Sequence, residues 1–261
     1  MSDLPVNALV DSLAWSAAGM AGTLVVTYAV AKRIHRHNVI DTAWGLLFAC
    51  AAVASFAGSA GHGDAGRRWL LLALTVIWGT RLALHMARRS SGHGEDPRYA
   101  KLLEGRGELG TILSVYVLQG VIAFIVAMPV VVGSLIAEPM GVLAYVGAVV
   151  WLVGIAFEAV GDHQLAAFKA DPDHGPVMDS GLWRFTRHPN YFGDACVWVG
   201  IFLVAAEHWP GVLTVLSPAL MVYLLVFGSG KRILERHMAE RPGYRAYMER
   251  TSGFFPLPPR R

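Results

Sequence analysis

The sequence predicts an all-α integral membrane protein, a bundle of about seven transmembrane helices. Of its 261 residues, 54% are hydrophobic and only 16% are charged, whereas about a quarter of the residues in a typical soluble domain are charged. The mean hydropathy is +0.45. Seven apolar stretches approach the length of about 20 residues that a membrane-spanning helix needs. They are residues 10–31, 39–60, 69–88, 111–133, 139–161, 195–207 and 210–228.

The placement of lysine and arginine predicts the orientation of these spans. All but three of the 22 lysines and arginines fall in alternate connections and in the C-terminal tail, and such residues collect on the cytoplasmic side of a membrane. The exceptions are Arg67, Arg68 and Arg81. This asymmetry places the N-terminus outside and the C-terminus in the cytoplasm. No hydrophilic segment is long enough to fold alone, so we expect one domain over residues 1–261.

The second span begins with Asn38-Val39-Ile40-Asp41. Ionisable groups at membrane depth are costly, and each one suggests a function. A desolvated carboxyl at position 41 could donate a proton or orient a substrate. The alternative is that Asn38 or Asp41 caps the helix, as such residues do at helix N-termini.

The third and fourth spans carry further polar residues. Trp78, Arg81 and His85 share a face of the third helix. Arg81 needs an anionic partner, which could be a cofactor phosphate or an internal carboxylate. In the fourth span, Tyr116 and Gln119 are three residues apart, and Gln119 could bond to a substrate carbonyl or to another helix.

An acidic and a basic residue follow the fifth span at a spacing of two helical turns. Asp162 and Lys169 are seven residues apart, so both could face one ligand from an extension of that helix. His163, His174 and His188 match no compact metal-ligand spacing, so no metal site is predicted.

The densest polar stretch is residues 181–194. Its polar members include two arginines, a histidine, an asparagine, a tyrosine and an aspartate, namely Arg184, Arg187, His188, Asn190, Tyr191 and Asp194. Guanidinium groups match phosphate geometry, and asparagine both donates and accepts hydrogen bonds. The stretch therefore predicts an anionic ligand at the mouth of a membrane helix. The alternative is a basic loop that anchors the next helix to lipid headgroups.

Residues 187–194 read Arg-His-Pro-Asn-Tyr-Phe-Gly-Asp and resemble the signature of the membrane steroid and sterol reductases, which include the steroid 5α-reductases and the sterol C14 reductases. The chain is most similar to a bacterial branch described as a domain of unknown function with a steroid-reductase-like C-terminal half. The resemblance is strongest over residues 160–258.

The resemblance implies bound NADPH and hydride transfer to the carbon–carbon double bond of an enone lipid, such as a 3-keto-Δ4 steroid. In the reductases, the loop after the third span closes over the nucleotide, so Arg98 and Tyr99 would contact it. The other implied cofactor-binding residues are Arg81, Asp162, Lys169, Arg184, Arg187, His188, Asn190, Tyr191, Asp194, Lys231, Glu235 and Tyr244.

The substrate half departs from the steroid 5α-reductase pattern. Those enzymes hold the ketone with a Gln-Glu pair in the second span and a tyrosine in the third. Here the second span offers Asp41, and Trp78 occupies roughly the place of the tyrosine. The candidate catalytic residues are therefore Asp41, Trp78, Tyr116 and Gln119.

Two other functions stay open. The Arg-His-Pro-x-Tyr-x-Gly core and the tail are also similar to the S-adenosylmethionine-dependent isoprenylcysteine methyltransferases, whose cofactor lacks phosphates and has less use for the basic residues. A non-catalytic lipid-binding membrane protein would bind no nucleotide. We expect a lipid-soluble partner and no nucleic acid. The composition favours a bacterial inner membrane with the cofactor site on the cytoplasmic side, and the oligomeric state is not predicted.

Overall fold

A computed structural model describes residues 5–228 and 230–260, and in that part of the chain every regular element is a helix. The predicted all-α architecture is therefore confirmed. Seven helical segments are long and apolar enough to cross a membrane, which is consistent with a multi-pass integral membrane protein. They are Val6–Ile34, Val39–Gly58, Ala65–Ser90, Glu108–Gly133, Val142–Ala170, Pro189–Ala206 and Gly211–Met238. The orientation of the termini stays a prediction.

The described residues form twelve α-helices, and some spans contain more than one of them. In chain order they are α1 (Val6–Ile34), α2 (Val39–Gly58), α3 (Ala65–Ser90), α4 (Pro97–Leu103), α5 (Glu108–Thr111), α6 (Leu118–Val126), α7 (Met128–Gly133), α8 (Val142–Ala170), α9 (Pro189–Ala206), α10 (Leu216–Tyr223), α11 (Lys231–Met238) and α12 (Tyr244–Arg250). Short 3₁₀ segments lie at Gly181–Arg184 and Gly211–Val215, and π-helical segments lie at Ile112–Val117 and Leu224–Gly228.

The sixth span begins earlier than its predicted boundary. We expected it over residues 195–207, but α9 already begins at Pro189. Proline suits the first position of a helix because its missing N–H would have no intrahelical partner there. Asn190, Tyr191 and Asp194 therefore lie on the first turns of a membrane helix. As expected, α8 continues past residue 161, the predicted end of the fifth span, to Ala170.

Contacts divide the chain into two compact units, which we describe separately. Unit 1 comprises the described residues up to Tyr145 together with Ile201–Ser217. Unit 2 comprises Val146–Gly200 together with the described residues from Pro218 onward. The single domain expected over residues 1–261 stays a prediction.

A buried ion pair ties together several segments of unit 1. Arg67, in the first turn of α3, is 0% exposed, and its Nη2 donates to Glu207 Oε2 at 3.1 Å. Its N–H groups also donate to four backbone carbonyls at 2.6–3.4 Å. Burial raises the pKa of Glu207, but hydrogen bonds from the N–H groups of Gly141 and Ala144 and from Arg67 outweigh burial and lower it. The sequence assigned Arg67 only to a connection.

Glycines spaced seven residues apart let α8 and α9 approach each other closely in unit 2. They are Gly147, Gly154 and Gly161 in α8, and Gly193 and Gly200 in α9. A Cβ on Gly154 would lie 2.6 Å from Gly193 O, and a Cβ on Gly200 would lie 2.6 Å from Gly147 O. Small residues permit such backbone approach between membrane helices. At one end of this contact, Gly161 faces Pro189, which begins α9.

Replacing Gly154 by alanine should therefore lower the free energy of unfolding by about 1–3 kcal/mol, the usual cost of overpacking. The added Cβ would be 2.7 Å from Val197 N, so the backbone itself would have to move. Gly22→Ala is the matched control, because nothing lies within 4 Å of its Cβ position in α1. Thermal unfolding in mild detergent measures both variants, and equal effects would contradict the close contact.

Candidate functional site

Glu235, in α11, is the centre of a buried charged cluster in unit 2. The residue is 9% exposed. Its Oε1 accepts a hydrogen bond from Arg187 Nε at 2.8 Å and lies 3.0 Å from His188 Nε2. Its Oε2 lies 3.8 Å from Lys231 Nζ. Burying a carboxylate without partners costs several kcal/mol, so these basic groups are what allows Glu235 to be buried.

Arg187 also binds the C-terminal tail. Its Nη1 donates to Met248 O at 2.9 Å and to Thr251 O, and its backbone N–H donates to Ser252 O at 2.9 Å. These bonds engage Nε and Nη1 within the protein. Among the residues that the structure describes, no hydrogen bond engages Nη2, which is the guanidinium nitrogen left for a ligand.

Gly253 brings two cationic groups together. A Cβ at this position would lie 3.0 Å from both Arg187 Nη2 and Lys231 Nζ, so these two nitrogens are at most 6.0 Å apart. Two cations share the single carboxylate of Glu235, which leaves the cluster positively charged while His188 is neutral. Such a pair of donors suits a small anion such as a phosphate group.

His188 is held neutral at physiological pH. Burial lowers its pKa below the ordinary value, although the hydrogen bond and charge of Glu235 act in the opposite direction. A carboxylate can only accept, so Nε2 of the neutral ring carries the hydrogen that binds Glu235. The imidazole also stacks on the Tyr191 ring, with centroids 5.2 Å apart and 10° between the planes.

Two more candidate residues of unit 2 bind each other. Asn190 Nδ2 donates to Asp162 Oδ1 at 3.2 Å, and Asn190 Oδ1 accepts from Tyr191 N at 3.1 Å. Asp162 is buried in α8, at the end where Gly161 meets Pro189. The glycine contact between α8 and α9 therefore positions this pair.

Two tyrosines hold α12 against the segment that precedes α9. Tyr247 O–H donates to Trp183 O at 2.6 Å, and Trp183 Nε1 donates to Gly161 O at 3.0 Å. Tyr244 packs edge-on to Tyr247, and burial raises its pKa to about 12. Tyr244 is therefore buried with a protonated hydroxyl, and its contact with a cofactor stays a prediction. Lys169 and Arg184 are exposed and lie outside this packing.

A second polar cluster lies in unit 1 and joins four residues that the sequence selected. Tyr99 O–H donates to Asp41 Oδ1 at 2.5 Å, and Gln119 Nε2 donates to the Tyr99 oxygen at 3.3 Å. Arg98 Nη2 lies 3.7 Å from Asp41 Oδ2. Burial, followed by the negative charge of Asp41, raises the pKa of Tyr99 far above its ordinary value. The phenol therefore keeps its proton.

Trp78 and Tyr116 make other contacts. Trp78 is fully buried, and its ring meets that of Phe48 at 5.4 Å. Tyr116 O–H lies 2.8 Å from His37 Nδ1. The phenol beside the acid of the second span therefore comes from Tyr99 in α4, a residue that the resemblance assigned to the nucleotide.

The capping alternative for Asn38 is wrong. Asn38 occupies the N-cap position of α2, but its side chain makes no cap hydrogen bond. The carboxylate of Glu95 accepts from the backbone N–H groups of His37 at 2.5 Å and Asn38 at 2.9 Å. Glu95, 57 positions from Asn38, thus accepts hydrogen bonds from N–H groups that have no partner within the helix at its start. Sequence patterns describe caps supplied by neighbouring residues and could not reveal this one.

Among the described residues, no group of three or more His, Cys, Asp or Glu side chains is placed to hold a metal ion.

Comparison with known proteins gives a family match. The family model described as "Protein of unknown function (DUF1295)" matches residues 27–251, a range that contains both Asp41 and Glu235. The chain is also 21% identical over 260 residues to "Uncharacterized protein C594.04c" of Schizosaccharomyces pombe, with 88% of this chain and 76% of the yeast protein covered. No solved structure matches the chain.

Replacing Arg187 by alanine should lower the free energy of unfolding by about 3–5 kcal/mol, because the buried carboxylate of Glu235 loses a principal partner. The matched control is Arg184→Ala, which removes an exposed arginine three residues earlier and should change stability by less than about 0.5 kcal/mol. Thermal or denaturant unfolding in detergent measures both. Similar values for the two variants would contradict the buried cluster.

Stability should also fall as the pH falls below about 6.5, the ordinary pKa of histidine. The folded-state pKa of His188 is lowered, so the unfolded chain binds a proton first and gains stability relative to the folded chain. His188→Gln keeps an N–H donor for Glu235 and should reduce the loss of stability between about pH 7 and pH 5. His163→Gln, at an exposed position, should not. An unchanged pH profile in His188→Gln would contradict the neutral buried histidine.

Proposed function

The chain belongs to the family described as protein of unknown function (DUF1295), and we propose that it is a membrane-embedded NADPH-dependent reductase. Its substrate would be an enone lipid, of which a 3-keto-Δ4 steroid is one example. The observation that carries the proposal is the pair of cationic nitrogens, Arg187 Nη2 and Lys231 Nζ, that converge at Gly253. The likeness of residues 187–194 to the steroid and sterol reductases supports it independently.

The residues of unit 2 fit a cofactor that carries phosphate. Arg187 and Lys231 would bind one phosphate, because their donors converge and their cluster carries excess positive charge. The exposed Lys169 and Arg184 supply further positive charge on unit 2. The Asp162–Asn190 pair offers both acceptors and a donor for a sugar or an amide. NADPH, when bound, supplies the hydride.

The residues of unit 1 fit the acid–base half of such a reaction. Reduction of an enone places negative charge on its carbonyl oxygen, and a fixed hydrogen-bond donor stabilises that charge. Tyr99 keeps its proton, and Asp41 and Gln119 fix the orientation of its hydroxyl. The hydroxyl hydrogen of Tyr99 is bonded to Asp41 in this structure, so we assign to Tyr99 a hydrogen bond to the substrate oxygen in which that oxygen replaces Asp41 as the acceptor. Asp41 is assigned the positioning of the phenol until the substrate binds.

The location of the cofactor site is part of the proposal. Basic residues collect in alternate connections and in the tail, and this distribution supports a cofactor-binding side that faces the cytoplasm. The soluble nucleotide could then reach the protein from the cytosol while the lipid substrate stays in the bilayer. The Ala-, Gly- and Arg-rich composition supports a bacterial inner membrane.

The test is ligand-dependent stability of the purified protein in mild detergent. At about one hundred times its dissociation constant, a ligand that binds only the folded state stabilises it by about 2.7 kcal/mol. We expect NADPH to raise the unfolding midpoint more than NADH, and S-adenosylmethionine to have no effect. Lys231→Gln should weaken the apparent affinity for NADPH about tenfold, the loss of one charged contact of about 1.4 kcal/mol.

Two controls make this test specific. Arg241→Gln removes an exposed charge of unit 2 that is outside the proposed site, and it should leave NADPH binding unchanged. Tyr99→Phe should retain NADPH binding and lose reduction of enone lipids. Stabilisation by S-adenosylmethionine alone would overturn the proposal in favour of a methyltransferase. No stabilisation by any of the three would favour a non-catalytic lipid-binding protein.

A further inference from the structure

A groove of 390 Å³ in unit 2 has two chemically different walls. One wall is formed by residues of α11, and the other includes residues of the π-helical segment Leu224–Gly228. The groove borders the Glu235 cluster, since Lys231 and Glu235 line both. Its remaining residues have no role in the proposed cofactor site.

The wall on α11 is basic. Arg232 and Arg236 are four residues apart, so they lie on one face of the helix and both line the groove with Lys231. The acidic residue in this wall, Glu235, already binds Arg187 and His188 through Oε1. The two arginines therefore give the groove a net positive charge that calls for an anionic ligand.

The opposite wall is apolar and continues along the membrane span. Val226 and Phe227 lie in the π-helical segment Leu224–Gly228, and Met248 of α12 also lines the groove. Phe227 is 58% exposed although its side chain is large and apolar. A free phosphate ion would gain nothing from contact with such an apolar wall, whereas the acyl chain of a lipid would bury apolar surface against it.

We propose that this groove binds an anionic phospholipid, with the headgroup phosphate at Arg232 and Arg236 and an acyl chain along Phe227. Guanidinium groups bind phosphate oxygens bidentately, and the exposed apolar residues continue directly into the span. Helix α11 itself suits the membrane surface, since it exposes Ile233 and Leu234 as well as its arginines. The site does not depend on the proposed reductase activity.

The predicted orientation agrees with this occupant. The positive-inside pattern places α11 and the tail on the cytoplasmic side, where basic residues next to a span attract anionic headgroups with about 1 kcal/mol each. Arg232 and Arg236 lie in α11, at the C-terminal end of the segment Gly211–Met238, and follow its apolar stretch in sequence. A phospholipid of the cytoplasmic leaflet would therefore meet both walls without leaving the membrane.

The test measures the unfolding midpoint of the full chain in mild detergent while dioctanoyl phosphatidylglycerol is titrated. Dioctanoyl phosphatidylcholine supplies the same chains without net charge, and sn-glycerol 3-phosphate supplies the phosphate without chains. We expect only phosphatidylglycerol to stabilise the protein at low concentration. Arg232→Gln/Arg236→Gln should weaken its apparent affinity on the order of thirty-fold, since each basic residue contributes about fivefold.

Matched variants separate the groove from general charge. Arg241→Gln/Arg260→Gln removes two exposed charges outside the groove and should leave the affinity for phosphatidylglycerol unchanged. Arg232→Lys/Arg236→Lys should restore most of it. Equal stabilisation by sn-glycerol 3-phosphate would overturn the lipid assignment, and equal weakening by both Gln pairs would overturn the groove. Neither Arg232 nor Arg236 belongs to the proposed cofactor site. Failure of the NADPH test would therefore not affect the interpretation of phosphatidylglycerol binding.

Discussion

The burial of a carboxylate at position 235 is the constraint from which much of unit 2 follows. Such a charge must be surrounded by donors, and Arg187, His188 and Lys231 provide them. The 3₁₀ segment Gly181–Arg184 is bound to α8 through Trp183 and Gly161, and the chain after it is bound to the tail through Thr186 and Phe254. The guanidinium of Arg187 also binds the carbonyls of Met248 and Thr251. Charge pairing and tail docking are thus one interaction.

Unit 1 also pairs buried or partly buried carboxylates with donors, in two places. Arg67 and Glu207 are buried together and share their remaining hydrogen bonds with backbone groups. Asp41 is bound by the phenol of Tyr99 and approached by Arg98. In the first arrangement, nearly every donor of Arg67 and acceptor of Glu207 is bonded to another group of the protein. In the second, Asp41, Tyr99 and Gln119 form a short chain of side-chain hydrogen bonds, which supports the acid–base role that we propose for it.

The sequence predicted the architecture well because hydropathy over about 20 residues measures the property that makes a helix span a membrane. It also selected residues that the structure brings together, such as Asp41 with Gln119 and Asp162 with Asn190. Their roles were harder to foresee. Arg187 and Glu235 are 48 positions apart, and Asp41 and Tyr99 are 58 apart. No local pattern reports pairing over such distances.

The start of the sixth span was missed because hydropathy discounts the polar first turns of α9. The heptad spacing of the glycines was visible in the sequence and would have predicted the contact between α8 and α9.

The bonds of Arg187 also bear on how the protein is made. Ribosomes synthesise a chain from its N-terminus, and the side-chain acceptors of this arginine all come later, at Glu235, Met248 and Thr251. While the sixth span is entering the membrane, its neighbouring arginine has none of these final partners. The charged centre of unit 2 can therefore form only after synthesis has passed Glu235, and the full set of Arg187 bonds only after it has passed Thr251. The tail therefore completes the bonding of an arginine that precedes the sixth span, and it is among the last parts of the chain to be made.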